Sequence, residues 1–140
     1  MKRITAIALL ALASLFTAGA AMAADDRGAQ ATVPFAFNVG DKALPAGVYI
    51  IHSMGSGVLE LQSKDRKNTV MSIAFNDSNE PKNGNGVWVF NRYGDKYFLT
   101  EVLCPAGGMS VKLPTSKLER KAQINEAALP TTTQILVATK

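Results

Sequence analysis

Apolar and polar side chains alternate along most of the chain from residue 31 onward. In the first such segment, 31–39, one face carries Val33, Phe35, Phe37 and Val39. A period of two residues is typical of a β-strand with one buried and one solvated face. Pro34 cannot donate a main-chain hydrogen bond, so we expect this segment to start a strand or to lie at a sheet edge.

The same pattern continues along the chain, with turn-forming residues between the segments. Pro45 and Gly47 form one of these turns, and Gly94 lies in another. Within 69–75, Met71, Ile73 and Phe75 share a face. Regularly spaced strands of this kind predict a mainly β, all-β fold, either a single antiparallel β-sandwich or a small barrel of about seven strands. The further strands are predicted at 48–52, 58–63, 69–75, 87–92, 96–103 and 133–139.

One C-terminal α-helix is predicted at 116–129. Ser116 followed by Glu119 forms a capping box, and the segment that follows lacks Gly and Pro until Pro130. The apolar face of this helix is narrow, so we expect it to lie across a sheet edge rather than to insert deeply. Its principal members are Leu118, Ala122 and Leu129.

The first 23 residues have the pattern of a cleavable signal peptide. Lys2 and Arg3 precede a long uncharged stretch, and small residues end at Ala23. A retained anchor is the alternative, but Asp25 follows almost at once where an anchor favours a positive flank. We therefore expect a signal peptide at 1–23, a flexible lead-in at 24–30 and a β-rich domain at 31–140. This predicts a periplasmic or secreted protein without a stable membrane span after cleavage.

The charge balance gives little reason to expect a polyanionic partner. The chain carries a formal charge of +4, and Lys2 and Arg3 supply two of these positive charges. Cleavage would leave a domain with only a small positive excess, whereas nucleic-acid binding requires a concentrated basic surface. We expect no nucleic-acid partner.

The residues that most often carry chemistry are few. His52 is the only histidine and Cys104 the only cysteine, which is too few for a zinc site of about four ligands. His52 also lacks the sequence context of a nucleophile motif. Cys104 is interpreted as a small apolar residue at a strand end, with a reactive thiol or an intermolecular bridge as alternatives. Glu101 lies within an apolar strand, and we expect it to face solvent rather than to be half-buried with a raised pKa.

Two loop features are interpreted as ordinary turns. The segment 77–80 offers oxygen ligands for Ca²⁺ but lacks the spacing of a dedicated loop. Gly84 and Gly86 are not followed by the helix that a phosphate-binding loop requires. The sequence therefore predicts no catalytic, cofactor-binding or metal-binding residues, and a protein that is not an enzyme.

Four motifs occur in order along the chain: V-P-F-A-F at 33–37, L-P-A-G-V-Y at 44–49, R-Y-G-D-K-Y-F-L at 92–99 and L-P-T-S-K-L-E-R at 113–120. In these motifs the chain resembles a family of short exported bacterial proteins. The resemblance implies export and a β-rich fold, and it assigns no active site. Ala36 stands where we expect an acidic residue in many relatives, so any role of that acid would be lost in this protein.

These observations favour a non-enzymatic binding or structural module of the periplasm or cell exterior. The edge expected at Pro34 could accept a strand from an unknown partner protein. The alternative is a carrier that holds a small apolar ligand in a barrel interior, because aromatic residues lie on or beside most predicted strands.

Overall fold

The computed structural model describes residues 28–79, 84–126 and 133–139. The expected signal peptide, residues 24–27 of the lead-in and the last turn of the expected helix lie outside these residues. One α-helix, α1 (Lys117–Glu126), and one 3₁₀ turn at Pro105–Gly107 accompany the strands. The strands are β1 (Ala29–Val33), β2 (Phe37–Val39), β3 (Lys42–Leu44), β4 (Gly47–Ser53), β5 (Val58–Ser63), β6 (Thr69–Ile73), β7 (Phe75–Asn76), β8 (Val87–Tyr93), β9 (Lys96–Cys104), β10 (Met109–Lys112) and β11 (Thr133–Ala138).

The strands form two curled sheets that enclose one core. The small sheet has the order β1-β4-β5-β6, and the large sheet has the order β11-β8-β9-β10-β7. The β2–β3 hairpin joins β9 through one parallel pair, Asn38 with Phe98, and the other described pairings are antiparallel. The prediction of a mainly β sandwich or barrel with one C-terminal helix is confirmed.

The chain connects the two sheets at both sides. Only Ala74 separates β6 in the small sheet from β7 in the large sheet. On the other side, Ala31 of β1 forms an antiparallel bridge with Thr139, directly after β11. Because both sides are joined, the two sheets wrap around a shared interior instead of stacking as separate layers.

More strands form than the alternation predicts. The segment expected as one strand at 31–39 divides into β1 and β2 around residues 34–36, where Pro34 supplies no N–H for a ladder. The segment at 69–75 divides at Ala74, where the chain changes sheets. β3 and β10 were not predicted, because each has only three or four residues next to a turn.

Large aromatic side chains fill the space between the sheets. The ring of Phe37 packs edge-to-face against Tyr49 and Phe90, with centroids 5.1 and 5.4 Å apart. Trp88 and Phe90 are 0% exposed, and Val89 on the opposite face of the same strand is also buried. At these residues β8 is therefore buried on both faces.

Helix α1 packs on the outer face of the large sheet rather than across its edge. Leu118 and Ala122 contact Tyr93 of β8 and Phe98 of β9. This small cluster is separate from the main core, and it leaves a space between the helix and the strands beneath it.

The first turn of α1 is held in two ways. The Glu119 N–H donates to Ser116 Oγ over 3.0 Å, which is the N-cap bond that the capping box predicts. The Leu118 N–H donates to Asp41 Oδ1 over 2.9 Å, so a residue from the β2–β3 turn satisfies a second free N–H.

Candidate functional site

The structure does not bring the sequence-derived candidates together. His52 lies on β4 of the small sheet, opposite Glu60 of β5. Glu101 and Cys104 lie on β9 of the large sheet. Cys104 is a free cysteine that ends β9 and packs against the main core, as expected for a small apolar residue. Within the three described segments, no group of three or more His, Cys, Asp or Glu side chains is placed to hold a metal ion.

Glu101 corrects one expectation. Its side chain points to the outer face of the large sheet, but only 15% of it is exposed. Its Oε1 lies 3.7 Å from Nζ of Lys112 on β10, the strand paired with β9 at this point. Solvent exposure was the wrong expectation because the neighbouring strand supplies a cation that sequence spacing does not reveal.

The loop considered for Ca²⁺ uses its oxygen atoms internally. Asp77 accepts hydrogen bonds from the N–H and the Nδ2 of Asn79, both over 3.1 Å. This is the local turn geometry expected for Asp and Asn. Glu80 lies outside the described residues. Gly84 adopts a positive φ of 67°, and the Gly86 carbonyl accepts a hydrogen bond from Thr139 N–H, which assigns both glycines to the end of the loop.

A polar cavity lies between α1 and the outer face of the large sheet, and we call it the outer pocket. Its volume is about 180 Å³. Of its lining residues, only Glu101 was considered from the sequence as a residue that could carry chemistry, and Glu119 was predicted only as a capping residue. The lining residues are Asn91, Tyr93, Thr100, Glu101, Lys112, Leu113, Thr115, Glu119, Gln123 and Gln134.

Glu119 is the most buried charged group of the outer pocket. It is 4% exposed, although it belongs to the first turn of a helix. Burial raises the pKa of its carboxyl group, and this effect outweighs hydrogen bonds from Asn91, Tyr93 and the Ser116 main chain that act to lower it. The pKa of Tyr93 is raised as well, first by burial and then by the nearby charge of Glu119.

Asn91 lies beneath Glu119 on β8. Its Nδ2 donates to Tyr93 Oη and to Glu119 Oε1, each over 3.4 Å. These distances exceed the usual range for strong hydrogen bonds of this kind. The Oδ1 of Asn91 is buried and accepts no hydrogen bond from the part of the chain that the structure describes. The pocket therefore contains a buried carboxyl group whose hydrogen bond from Asn91 is long, and an amide oxygen without a donor is buried beside it.

A second feature is an exposed apolar stripe along β6 and β7. Met71, Ile73 and Phe75 are 63%, 61% and 60% exposed, and we call these three residues the apolar edge. The prediction that they share a face is confirmed, and that face is the outer one. Val70 and Ala74, between and beside them, are the residues that face the core.

The main chain of β6 also has an open side. The Ala74 N–H donates to the Gly57 carbonyl over 2.8 Å, and this bond shows which residues of β6 direct their main-chain groups toward β5. Because paired residues alternate in an antiparallel ladder, the N–H and C=O groups of Met71 and Ile73 point away from β5. β6 is the last strand of the small sheet, so these groups lie along its outer side.

A lysine occupies one end of that side. Lys42 Nζ, from β3, donates to the Thr69 carbonyl over 3.0 Å. Lysine at a strand edge is a common protection against unwanted pairing. In β6 this protection reaches only Thr69. The Ile73 carbonyl accepts a local hydrogen bond from Ser72 Oγ over 3.1 Å, and no neighbouring strand pairs with Met71 or Ile73 on this side.

A second cavity, of about 380 Å³, lies beside the turn that precedes β4. The polar groups there bond to one another: Tyr49 Oη donates to the Pro45 carbonyl over 2.7 Å, and Ser63 Oγ donates to Asp65 over 2.5 Å. These contacts stabilise the two turns and leave few groups to recognise a ligand.

Within the described ranges, no helix has both the length and the apolar character needed to cross a membrane. Comparisons of the chain with protein-family models, with curated proteins and with solved structures found no match.

Proposed function

We propose that this domain is a non-enzymatic binding module of the periplasm or cell exterior, which takes an extended segment of a partner protein as an added strand along β6. The supporting observation is the apolar edge beside a strand whose outer main-chain groups have no neighbouring strand. Strand addition uses these two features together, main-chain hydrogen bonds for affinity and alternate side chains for selectivity.

The edge differs from the one that the sequence suggested. Pro34 lies between β1 and β2, and β1 pairs with β4 and contacts Thr139 on its other side. The Met71–Ile73 stretch of β6 carries no such cover, and its side chains are apolar rather than charged. An exposed apolar edge is a feature that soluble domains usually avoid unless another chain covers it.

The partner segment can be described by its chemistry. It is extended, and it places apolar side chains at alternate positions beside Met71 and Ile73. The end of β6 near Thr69 is cationic, because Lys42, Arg66 and Lys67 are exposed there. We therefore expect an acidic residue at the matching end of the partner segment.

The carrier alternative receives less support from the geometry. The inward-facing rings of Phe37, Tyr49, Trp88 and Phe90 are at most 1% exposed, and Phe37 contacts both Tyr49 and Phe90 across the interior. An apolar ligand would have to displace these rings before it could enter. Export itself is supported by the sequence of residues 1–23.

Replacing alternate residues of β6 with proline tests the proposal. Met71→Pro removes an N–H that faces outward, so the β5–β6 ladder remains intact. The matched variant Ser72→Pro removes an N–H that faces β5. We expect it to lower the free energy of unfolding by about 1–3 kcal/mol more than Met71→Pro does. Thermal unfolding of both variants checks the ladder phase.

Partner capture is then measured with a photo-crosslinking residue at position 73 in exporting cells, with position 120 on α1 as the control site. We expect a discrete crosslinked protein from position 73, its loss in the folded Met71→Pro variant, and none from position 120. The same product in Met71→Pro, or no product from position 73, would contradict strand addition at β6.

A further inference from the structure

The charges of the outer pocket do not balance around Glu119. Lys112 is the one cationic side chain that lines the pocket, and its Nζ lies 3.7 Å from Glu101. Apart from Glu101 and Glu119, the other polar side chains that line the pocket are uncharged, and they belong to Asn91, Tyr93, Thr100, Thr115, Gln123 and Gln134. Among the described residues, no cation forms an ion pair with the Glu119 carboxylate.

The hydrogen-bonding groups are unbalanced in the same direction. The Glu119 carboxyl group has hydrogen bonds from Asn91, Tyr93 and the Ser116 main chain, but the Asn91 Nδ2 donor is 3.4 Å away, and burial still raises the pKa of the carboxyl group. What Glu119 lacks is therefore a positive charge and short N–H donors.

A primary ammonium group supplies one positive charge and three N–H donors from a single atom. A volume of about 180 Å³ corresponds to about six water molecules at about 30 Å³ each, which suits a ligand of a few heavy atoms. A metal ion fits less well, because metal sites need three or more converging ligands and the described residues contain no such group.

We propose that the outer pocket is a binding site for a small primary ammonium compound, in which the Glu119 carboxylate pairs with the ammonium group and accepts its N–H bonds. Glu101 stays with Lys112 and shapes the adjoining wall. The site is independent of strand addition, since the outer pocket lies on the large sheet and β6 belongs to the small sheet.

The test is a titration of the mature-length protein with ethylammonium, followed by two-dimensional NMR at constant ionic strength. Tetramethylammonium serves as the control cation, because it carries the same charge without N–H donors. We expect saturable shifts of the main-chain signals of residues 91 and 119 with ethylammonium, and at least tenfold weaker binding of tetramethylammonium.

Two variants separate the carboxyl groups. Glu119→Gln keeps the shape of the side chain, and we expect it to weaken ethylammonium binding at least tenfold. Glu60→Gln removes a carboxylate from β5 of the small sheet, outside the pocket, and should change the binding less than threefold. At pH values below the pKa of Glu119, apparent affinity should fall tenfold for each pH unit, because a proton and the ammonium ion compete for one carboxylate.

Absence of saturable shifts would show that the pocket holds water only and would overturn the proposal. Equal binding of the two cations, or unchanged binding in Glu119→Gln, would also overturn it, because each result would point to nonspecific charge attraction.

Discussion

Asn91 Nδ2 lies 3.4 Å from Glu119 Oε1. The contact joins the amide group of a strand residue to the carboxyl group of a helix residue that lies 28 positions later in the chain. This contact is the centre of the outer pocket. It is too long to compensate fully for removing the carboxyl group from water, and the pKa of Glu119 is accordingly raised.

The raised pKa of Glu119 predicts a loss of stability as the pH rises. The folded state binds the Glu119 proton more tightly than the unfolded state does. Protonation of Glu119 therefore stabilises the fold fully below the ordinary pKa of 4.5, and this stabilisation is lost as the pH rises through the raised pKa. Each unit of difference between the two pKa values corresponds to about 1.4 kcal/mol. In urea unfolding experiments over this pH range, the free energy of unfolding should decline less with rising pH for Glu119→Gln than for the unmodified protein.

Asn91→Ala provides the matched comparison for that measurement. Removing the Asn91 side chain removes a hydrogen bond that acts to lower the pKa of Glu119, so the decline in stability should extend to higher pH. Parallel pH profiles for the unmodified protein and Glu119→Gln would contradict the raised pKa.

Tyr49→Phe tests the turn that leads into β4. Tyr49 is 1% exposed, and its Oη donates to the Pro45 carbonyl over 2.7 Å. Removing this hydroxyl group should lower the free energy of unfolding by about 0.5–1.5 kcal/mol. Tyr97→Phe is the control, because the ring of Tyr97 stacks on Phe35 with centroids 4.1 Å apart and no described hydrogen bond uses its hydroxyl group. A change below about 0.5 kcal/mol is expected there, and equal effects would argue against the Tyr49 bond.

Arg66→Gly tests the turn between β5 and β6. Arg66 has a φ of 60°, in the left-handed region that costs a residue with a side chain about 1–2 kcal/mol. Glycine relieves this cost but also gains freedom in the unfolded chain, so a net stabilisation of up to about 1 kcal/mol is expected. Lys64→Gly lies in the same turn without a positive φ and should destabilise. Thermal unfolding of both variants measures the difference, and destabilisation by both would contradict the argument.

The parts of the fold that depend on neighbouring residues were predicted well. The strand expected at 58–63 coincides with β5, because Leu59 and Leu61 alternate with polar residues and clear turn signals flank them. The N-cap at Ser116 was predicted from two residues three positions apart, and the structure contains its hydrogen bond. The short strands β3 and β10 escaped prediction because pairing with neighbouring strands, rather than their own pattern, holds them in place.

The candidate sites depended on distant contacts. The alternation of 69–75 grouped Met71 with Ile73 but did not say which face would be inward. Val70 and Ala74 point to the core because β6 must pair with β5 and continue as β7 in the other sheet. The outer pocket was not predicted, since its groups come from separate strands and a helix.

The sequence by itself determined the period of the strands, the turns between them and the start of α1, because each of these depends on interactions within a few residues. Tertiary structure decided which apolar side chains stay in solvent and which polar ones are buried together. Met71 is exposed and Glu119 is buried, against the ordinary preference of each residue type, because the pairing of strands and the docking of α1 fix their surroundings. That outcome depends on contacts between distant segments, which no local pattern contains.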